Sequence, residues 1–269
     1  MIDVYDVDHS TIEWLSALMA DIQDMIGVTE HEDYHTFCFE SEESQKLGLS
    51  TIKSFSSDIK TIQRTQDQEN WNQIWEDNFS PVVVEDYCAV IAPHHDQLDN
   101  VEHCIVINPE MSFGTGHHET TFMMIEFIKS LSLKNKRVLD FGCGTGLLAI
   151  LAYKQQAQLV DAVDYDQLCI DSTNENKRIN HALPINVIKG DASILANKYD
   201  VILANVNRNA LIQSYKKIYD STLKNGLVLL SGLLIEDFET INSIYRAGFQ
   251  LIKRKERGQW ISLLYERTQ

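Results

Sequence analysis

The chain has 269 residues, of which 44% are apolar, so it is long enough for one large domain or two unequal domains with buried cores. Its 39 acidic and 23 basic residues give a formal charge of −16, which disfavours tight non-specific binding to nucleic acid or to an anionic membrane surface. The five cysteines contain no Cys-x-x-Cys pair, so they indicate neither a disulfide framework nor a four-thiolate zinc site, and they favour the reducing cytoplasm.

Charge divides the chain into two parts. Residues 1–80 contain 17 acidic and 4 basic residues, whereas residues 81–269 contain 22 and 19. Apolar spacing in the first part predicts a strand to about Val7, a helix after it, and strands at Tyr34–Glu40 and Leu49–Phe55. We therefore predict a small acidic α+β domain over residues 1–60. No stretch is apolar over the roughly 18 residues that a membrane-spanning helix needs, and we expect no secretory signal.

An aromatic stripe follows the first domain. Trp71, Ile74, Trp75 and Phe79 recur at helical spacing, and acidic residues flank them. Such a stripe is typical of a helix that packs one face on a neighbouring domain. We predict a linker helix over residues 61–80.

Strands and helices alternate in the rest of the chain. Strands are predicted first at Val82–Val84, Tyr87–Ala92 and Val101–Ile107, before a helix that carries Phe122 and Ile125. The later strands are Arg137–Phe141, Leu159–Val163, Ile185–Ile188, Tyr199–Ala204 and Leu227–Leu230, with helices Leu147–Tyr153, Asp166–Asn180, Asn209–Thr222 and Glu236–Arg246 between and after them. The ending, Phe249–Lys255 and Gln259–Tyr265, reads as an antiparallel hairpin. The pattern predicts an α/β fold with a mostly parallel sheet.

A glycine-rich turn carries the sharpest chemical signal. Asp140-Phe141-Gly142-Cys143-Gly144-Thr145-Gly146 comes at the end of an apolar strand and leads directly into a helix. Glycines there let the backbone approach a ligand at the carboxyl end of a parallel strand, where open sheets bind nucleotides. The spacing Gly-x-Gly-x-Gly differs from the pyrophosphate fingerprint, which disfavours a nicotinamide-dependent dehydrogenase.

Polar side chains end four successive predicted strands. They are Asp140, Asp164, Asp191 and Asn205. Asp164 lies 22 residues after Gly142, close to the offset of a carboxylate that binds a ribose, and Asp191 is placed to accept from an adenine amino group. Such an acidic cleft suits an adenosyl ligand with a sulfonium and an amino group better than a pyrophosphate. Asp166 is interpreted as a helix cap.

Two further motifs carry a family resemblance. The segment Asp140–Gly146 resembles the first motif of class I methyltransferases that use S-adenosylmethionine. The segment Asn108–Thr121, which contains Phe-Gly-Thr-Gly-His-His-Glu-Thr-Thr, resembles a loop of the ribosomal protein L11 methyltransferases, and Asn205-Val206 is similar to that family's Ala-Asn-Ile segment. The resemblance covers about residues 67–269.

The resemblance implies a fold, an activity and a site. The fold would be a Rossmann-like class I methyltransferase sheet over residues 81–269, with a C-terminal antiparallel hairpin, preceded by a small α+β substrate-recognition domain. The activity would be transfer of methyl groups from S-adenosylmethionine, without a metal, to lysine side-chain and N-terminal amines of ribosomal protein L11, with no direct nucleic-acid or membrane partner. The positions Thr121, Gly142, Asp164 and Asn205 match the family's cofactor-binding positions, and we add Phe113, Asp140, Gly144 and Asp191 as cofactor-binding candidates.

Catalytic roles follow from the chemistry of amines. We hypothesise that the side-chain oxygen of Asn205 orients the acceptor nitrogen. His117 and His118 are open to three roles: general base, loop structure or substrate contact. The segment Val206-Asn207-Arg208 replaces a more apolar stretch of the family pattern, and Asn108, His117 and Glu119 also depart from it.

Alternative functions remain at this point. The acceptor of a class I methyltransferase could instead be another protein or a small molecule, or the chain could be a non-catalytic scaffold that binds the cofactor. A nucleic-acid base methyltransferase is disfavoured because no aromatic residue follows Asn205 to stack a flipped base.

Overall fold

The structure is a computed structural model that describes residues 1–5, 7, 9–19, 22, 25–31, 34–39, 41–56, 58–63, 79–108 and 116–268. The chain divides into two compact units, Met1–Trp71 and Asn72–Gln269. Most of the predicted linker helix, including Trp71 and Trp75, falls on residues 64–78, and the candidate Phe113 falls on residues 109–115; both segments lie outside the described residues. Residues 61–63 belong to a strand, not to a linker helix.

The described residues of the first unit form a four-stranded antiparallel sheet and two helices. Its elements are β1 (Ile2–Tyr5), α1 (His9–Met19), β2 (Met25–Glu30), β3 (Tyr34–Phe39), α2 (Glu42–Phe55) and β4 (Lys60–Gln63). The strand order is β2-β3-β1-β4. The core of the unit contains Ile2 and Phe37 from the sheet and Leu15 and Ile52 from the helices.

The predicted strand at Leu49–Phe55 is wrong, because these residues form the second half of α2. Ser41 starts this helix: its hydroxyl accepts a hydrogen bond from the backbone amide of Ser44 at 3.2 Å. The buried positions Ser44, Gln45, Gly48 and Ile52 recur at helical spacing, but only one of them is a large apolar residue, so the helical period is weak in the sequence. Strand β2 was not predicted.

The second unit begins with a three-stranded sheet. Its strands are β5 (Val82–Val84), β6 (Cys88–Ile91) and β7 (His103–Val106), which confirms the three strands predicted in this region. Strands β5 and β6 pair antiparallel, and β6 and β7 pair parallel.

A seven-stranded sheet forms the centre of the second unit. Its strands are β8 (Arg137–Phe141), β9 (Leu159–Asp164), β10 (Asn186–Lys189), β11 (Tyr199–Asn205), β12 (Thr222–Leu234), β13 (Phe249–Arg257) and β14 (Trp260–Arg267). The α-helices that the structure describes in this unit are α3 (Glu119–Ser130), α4 (Leu147–Lys154), α5 (Gln167–Ile179), α6 (Arg208–Ser221) and α7 (Phe238–Tyr245). It also describes two short 3₁₀ helices, η1 (Ala192–Ile194) and η2 (Ile235–Asp237).

The strand order is β10-β9-β8-β11-β12-β14-β13. The first five strands are parallel to one another, and β14 pairs antiparallel with β12 and β13. The predicted fold class, a mostly parallel α/β sheet that ends in an antiparallel hairpin, is therefore confirmed. Strand β12 extends well beyond the predicted Leu227–Leu230.

Both faces of this sheet are covered. Along β8, Val138 joins the core cluster that contains α3 and α4, whereas Leu139 joins the opposite cluster that contains α6 and α7. Side chains alternate between faces along a strand, so a sheet buried on both sides needs nearly continuous apolar strands. In the part of the chain that the structure describes, no helix is long and apolar enough to cross a membrane.

Candidate functional site

The sheet topology creates a crevice at the carboxyl ends of its central strands. Strand β8 lies between β9 and β11, so the connections leaving β8 and β11 run to opposite sides of the sheet, the arrangement at which such folds bind ligands. A cavity of about 1040 Å³ opens there. Six of the residues predicted from the sequence line it: Thr121, Gly142, Gly144, Asp164, Asp191 and Asn205.

The glycine-rich turn after β8 needs its glycines. Gly142, Gly144 and Gly146 have φ angles of 74°, 53° and 78°, in the left-handed region that other residues rarely adopt. The Gly142 amide donates to the carbonyl of Val163 at 2.8 Å, which ties the turn to β9. A Cβ at Gly142 would lie 2.2 Å from Cγ1 of Val206, the residue after β11, so even an alanine here would clash with that side chain.

Asp164 fixes the turn from the next strand. Its side chain is buried; Oδ2 accepts from the Gly144 amide at 3.0 Å, and Oδ1 accepts from the Asp166 amide at 3.0 Å. Asp166 caps α5 by accepting from the amide of Leu168, as predicted. Asp164 therefore holds the backbone of the glycine-rich turn as well as lining the cavity.

Asp140 lies apart from the residues that line the cavity. It is 1% exposed, and its Oδ2 accepts from the Ala149 amide in the first turn of α4 at 3.0 Å. Its Oδ1 has no hydrogen-bond partner among the described residues. The pKa of Asp140 is raised to about 7: burial is the main cause, the hydrogen bond from the Ala149 amide opposes the rise, and the charge of Asp164 adds to it. Asp140 thus supports the glycine-rich turn by holding the first turn of α4, which follows it.

Asp191 lies at the exposed rim of the cavity. Its carboxylate caps η1, where Oδ1 accepts from the Ser193 amide at 2.8 Å. The hydrogen bonds from Ser193 lower the pKa of Asp191, so this rim of the cavity carries a negative charge at neutral pH.

Asn205 and Thr121, which both line the cavity, form a hydrogen-bonded pair. Asn205 ends β11, and its Nδ2 donates to Oγ1 of Thr121 in the first turn of α3 at 3.2 Å. Thr121 is only 1% exposed, so its position is fixed by packing. Because Nδ2 of Asn205 donates to Thr121, the atom of this side-chain amide that can accept a hydrogen bond is Oδ1.

His118 caps the helix that carries Thr121. Its Nδ1 accepts from the Thr120 amide at 3.3 Å, which requires that the proton of a neutral ring reside on Nε2. The ring also meets the indole of Trp260 edge-on, with 4.5 Å between ring centroids. Both rings line the cavity.

Several lining residues were missed in the sequence. Trp260 comes from the C-terminal hairpin, and no local motif connects it to the distant glycine turn. Tyr165 directly follows Asp164, the last residue of β9, and is 77% exposed. Its position immediately after a predicted strand was the sequence signal that could have identified it as a lining residue.

The segment after Asn205 is held by a helix cap and an ion pair. Asn207 starts α6 by accepting from the Ala210 amide at 3.0 Å. The guanidinium of Arg208 donates to the buried carboxylate of Asp237 at 2.8 Å, and Asp237 also accepts from the Leu234 amide. The departures from the family pattern at Asn207 and Arg208 thus have structural partners.

Comparisons with known proteins find one family. The family model described as "Ribosomal protein L11 methyltransferase (PrmA)" matches residues 12–268. A ribosomal protein L11 methyltransferase from Porphyromonas gingivalis is 43% identical over 73% of this chain and 69% of its own length. A protein of the same name from Bacteroides fragilis is 34% identical over 84% of this chain and 82% of its own length.

A solved structure shares the fold. The ribosomal protein L11 methylase of Lactobacillus delbrueckii subsp. bulgaricus superposes with a TM-score of 0.67 at 24% identity, covering 71% of this chain and all of that one. The family match, which spans nearly the whole chain, confirms the family that the sequence motifs predicted. This chain is a methyltransferase and belongs to the ribosomal protein L11 methyltransferase family.

Proposed function

We propose that this enzyme transfers methyl groups from S-adenosylmethionine to lysine side-chain and N-terminal amines of ribosomal protein L11, in the cytoplasm. The pairing of Asn205 with Thr121 beside the glycine-rich turn is the observation that carries the proposal. Asn205 lines the cavity, and its amide oxygen is a good acceptor for an amine N–H, which supports a role beside a bound methyl donor. The names of the curated relatives support L11 as the acceptor.

The residues of the cavity fit S-adenosylmethionine. Gly142 and Gly144 carry no side chains, so a ligand can approach the backbone closely at these two positions. Asp164 retains acceptor capacity for ribose hydroxyls beyond its two amide bonds. With Asp191, it makes the cavity acidic, which suits a sulfonium and an amino group. When bound, the cofactor supplies an electrophilic methyl group attached to a positively charged sulfur.

The residues of the chain act mainly by alignment. A lysine amine has a reference pKa of about 10.4 and an α-amine of about 8, so the nitrogen that reacts is the deprotonated minority form. We assign Asn205 Oδ1 the role of accepting an N–H of that neutral amine, so that the lone pair points at the methyl carbon. Alignment of two reactants can contribute on the order of 7–11 kcal/mol to the barrier reduction.

The acidic first unit is proposed to recognise the substrate. Residues 1–60 form the predicted recognition domain, and the excess of 17 acidic over 4 basic residues in residues 1–80 favours a cationic partner. Ribosomal proteins are generally basic. The account therefore expects the KM for L11 to rise with ionic strength, while the affinity for the cofactor changes little.

The test is a matched pair of asparagine variants. Asn205→Ala removes the proposed acceptor, whereas Asn209→Ala changes an exposed asparagine of α6 four positions away. With unmethylated L11 as substrate, we expect kcat to fall by about 10- to 100-fold in Asn205→Ala, the scale of a lost alignment contact, and to stay near wild type in Asn209→Ala. Wild-type turnover by Asn205→Ala would refute the role of Asn205.

A further inference from the structure

We propose that His117 is a positioning residue, which holds the start of α3, and through it Thr121 and Asn205, in place for methyl transfer. This inference rests on the proposed function, because it assigns His117 a role in the same site. It also chooses between the roles left open for this histidine, in favour of a structural anchor over a general base.

Two contacts that the structure describes for His117 are made with residues that do not line the cavity. Its Nε2 lies 2.9 Å from the backbone oxygen of Ser80, and its ring meets Phe79 edge-on with 4.5 Å between centroids. Because a carbonyl oxygen only accepts, Nε2 must carry the proton in this contact. Phe79 is 3% exposed and belongs to the core cluster that contains α3 and α4, so the anchor is attached to a rigid part of the unit.

The residue before His117 is fixed as well. Gly116 is buried with a φ of 94°, and a Cβ there would lie 3.3 Å from Cγ2 of Val90 on β6. The backbone is therefore pressed against the three-stranded sheet immediately before it reaches His117. Gly116 and His117 together attach the chain at two points at the entry to α3.

A continuous series of contacts joins this anchor to the site. His118, the next residue, accepts from the Thr120 amide, and its carbonyl accepts from the Phe122 amide at 3.1 Å. These bonds set the first turn of α3, in which Thr121 receives the Nδ2–H of Asn205. A shift of His117 would therefore be passed to the amide that we assign to amine alignment.

The Ser80 contact and general-base catalysis make different chemical demands on His117. A general base must present an unprotonated nitrogen to the substrate, whereas the Ser80 contact needs only a donor at the position of Nε2. A glutamine places an amide N–H close to the position of Nε2, and an asparagine places one near Nδ1. Neither amide can act as a base. The pair His117→Gln and His117→Asn thus tests the donor position alone.

The experiment measures turnover and local stability in the full chain. With L11 and S-adenosylmethionine, we expect kcat of His117→Gln to remain within about three-fold of wild type, and kcat of His117→Asn to fall about ten-fold, the scale of a small misplacement of reactants. Hydrogen–deuterium exchange should show faster exchange of the first-turn amides of α3 in His117→Asn but not in His117→Gln.

Each other outcome overturns the proposal. Equal, large losses of kcat in both variants with unchanged exchange would indicate a catalytic ring, and wild-type behaviour of both would show that the anchor has no role. If wild-type enzyme fails to methylate L11, the proposed function fails, while the exchange comparison still decides whether His117 holds α3.

Discussion

Replacement of Gly142 by alanine should destabilise the methyltransferase unit and weaken cofactor binding. Gly142 has a φ of 74°, and an L-residue in that conformation costs roughly 1–2 kcal/mol. The new Cβ would also lie 2.2 Å from Cγ1 of Val206, and overpacking of this kind typically costs about 1–3 kcal/mol. A combined loss of about 3 kcal/mol corresponds to a decrease in Tm of roughly 6–12 °C for a unit of this size.

The cost of the clash with Val206 can be measured separately from the cost of the left-handed backbone conformation. Val206→Ala removes the methyl group that the new Cβ would strike, so the double variant Gly142→Ala/Val206→Ala should recover part of the Tm relative to the Val206→Ala single variant. Thermal unfolding followed by circular dichroism gives Tm, and titration calorimetry gives the affinity for S-adenosylmethionine. A Gly142→Ala protein with wild-type Tm and affinity would refute the reasoning, and a double variant with no recovery would refute its steric part.

Three further changes probe other parts of the site. The pKa of Asp140 is raised to about 7 in the folded state, so between about pH 4 and pH 7 the unfolded chain binds fewer protons than the folded chain, and the stability that Asp140 contributes falls as the pH rises. Urea unfolding at pH 5 and pH 8 should therefore show less pH dependence in Asp140→Asn than in wild type. An unchanged difference between the two pH values would contradict this. Thr121→Val frees the amide of Asn205 and should lower kcat by about ten-fold, measured as methyl incorporation, with little change in Tm. Arg208→Ala leaves the buried carboxylate of Asp237 without its charged partner and should lower the free energy of unfolding by about 1 kcal/mol in urea titrations, a modest loss because the guanidinium is half exposed; an unchanged free energy would contradict this.

The parts of the site on one sheet edge could be predicted because they follow from local rules. Strands β8, β9 and β11 are apolar runs followed by turns, and parallel strands bring their carboxyl ends together. Gly142, Asp164 and Asn205 therefore line one cavity, as the strand-end reasoning expects. Asp140 does not line it, because it lies within β8, where its carboxylate is directed to the Ala149 amide.

The parts made by distant segments could not be predicted. Trp260 reaches His118 only through the hairpin at the far edge of the sheet, and the pairing of Arg208 with Asp237 depends on where α6 and η2 meet. The error at Leu49–Phe55 has a different cause. In α2, small and polar residues occupy buried positions of a helix, so the apolar pattern alone resembled a short strand.

Intact-mass spectrometry of unmethylated ribosomal protein L11, incubated with this enzyme and S-adenosylmethionine, tests the central claim most directly. The account predicts mass increases in steps of one methyl group, with fragment spectra that place the groups on lysine side chains and the N-terminal amine. An unchanged mass, in a sample whose cofactor binding is demonstrated by calorimetry, would contradict the assignment of L11 as the acceptor.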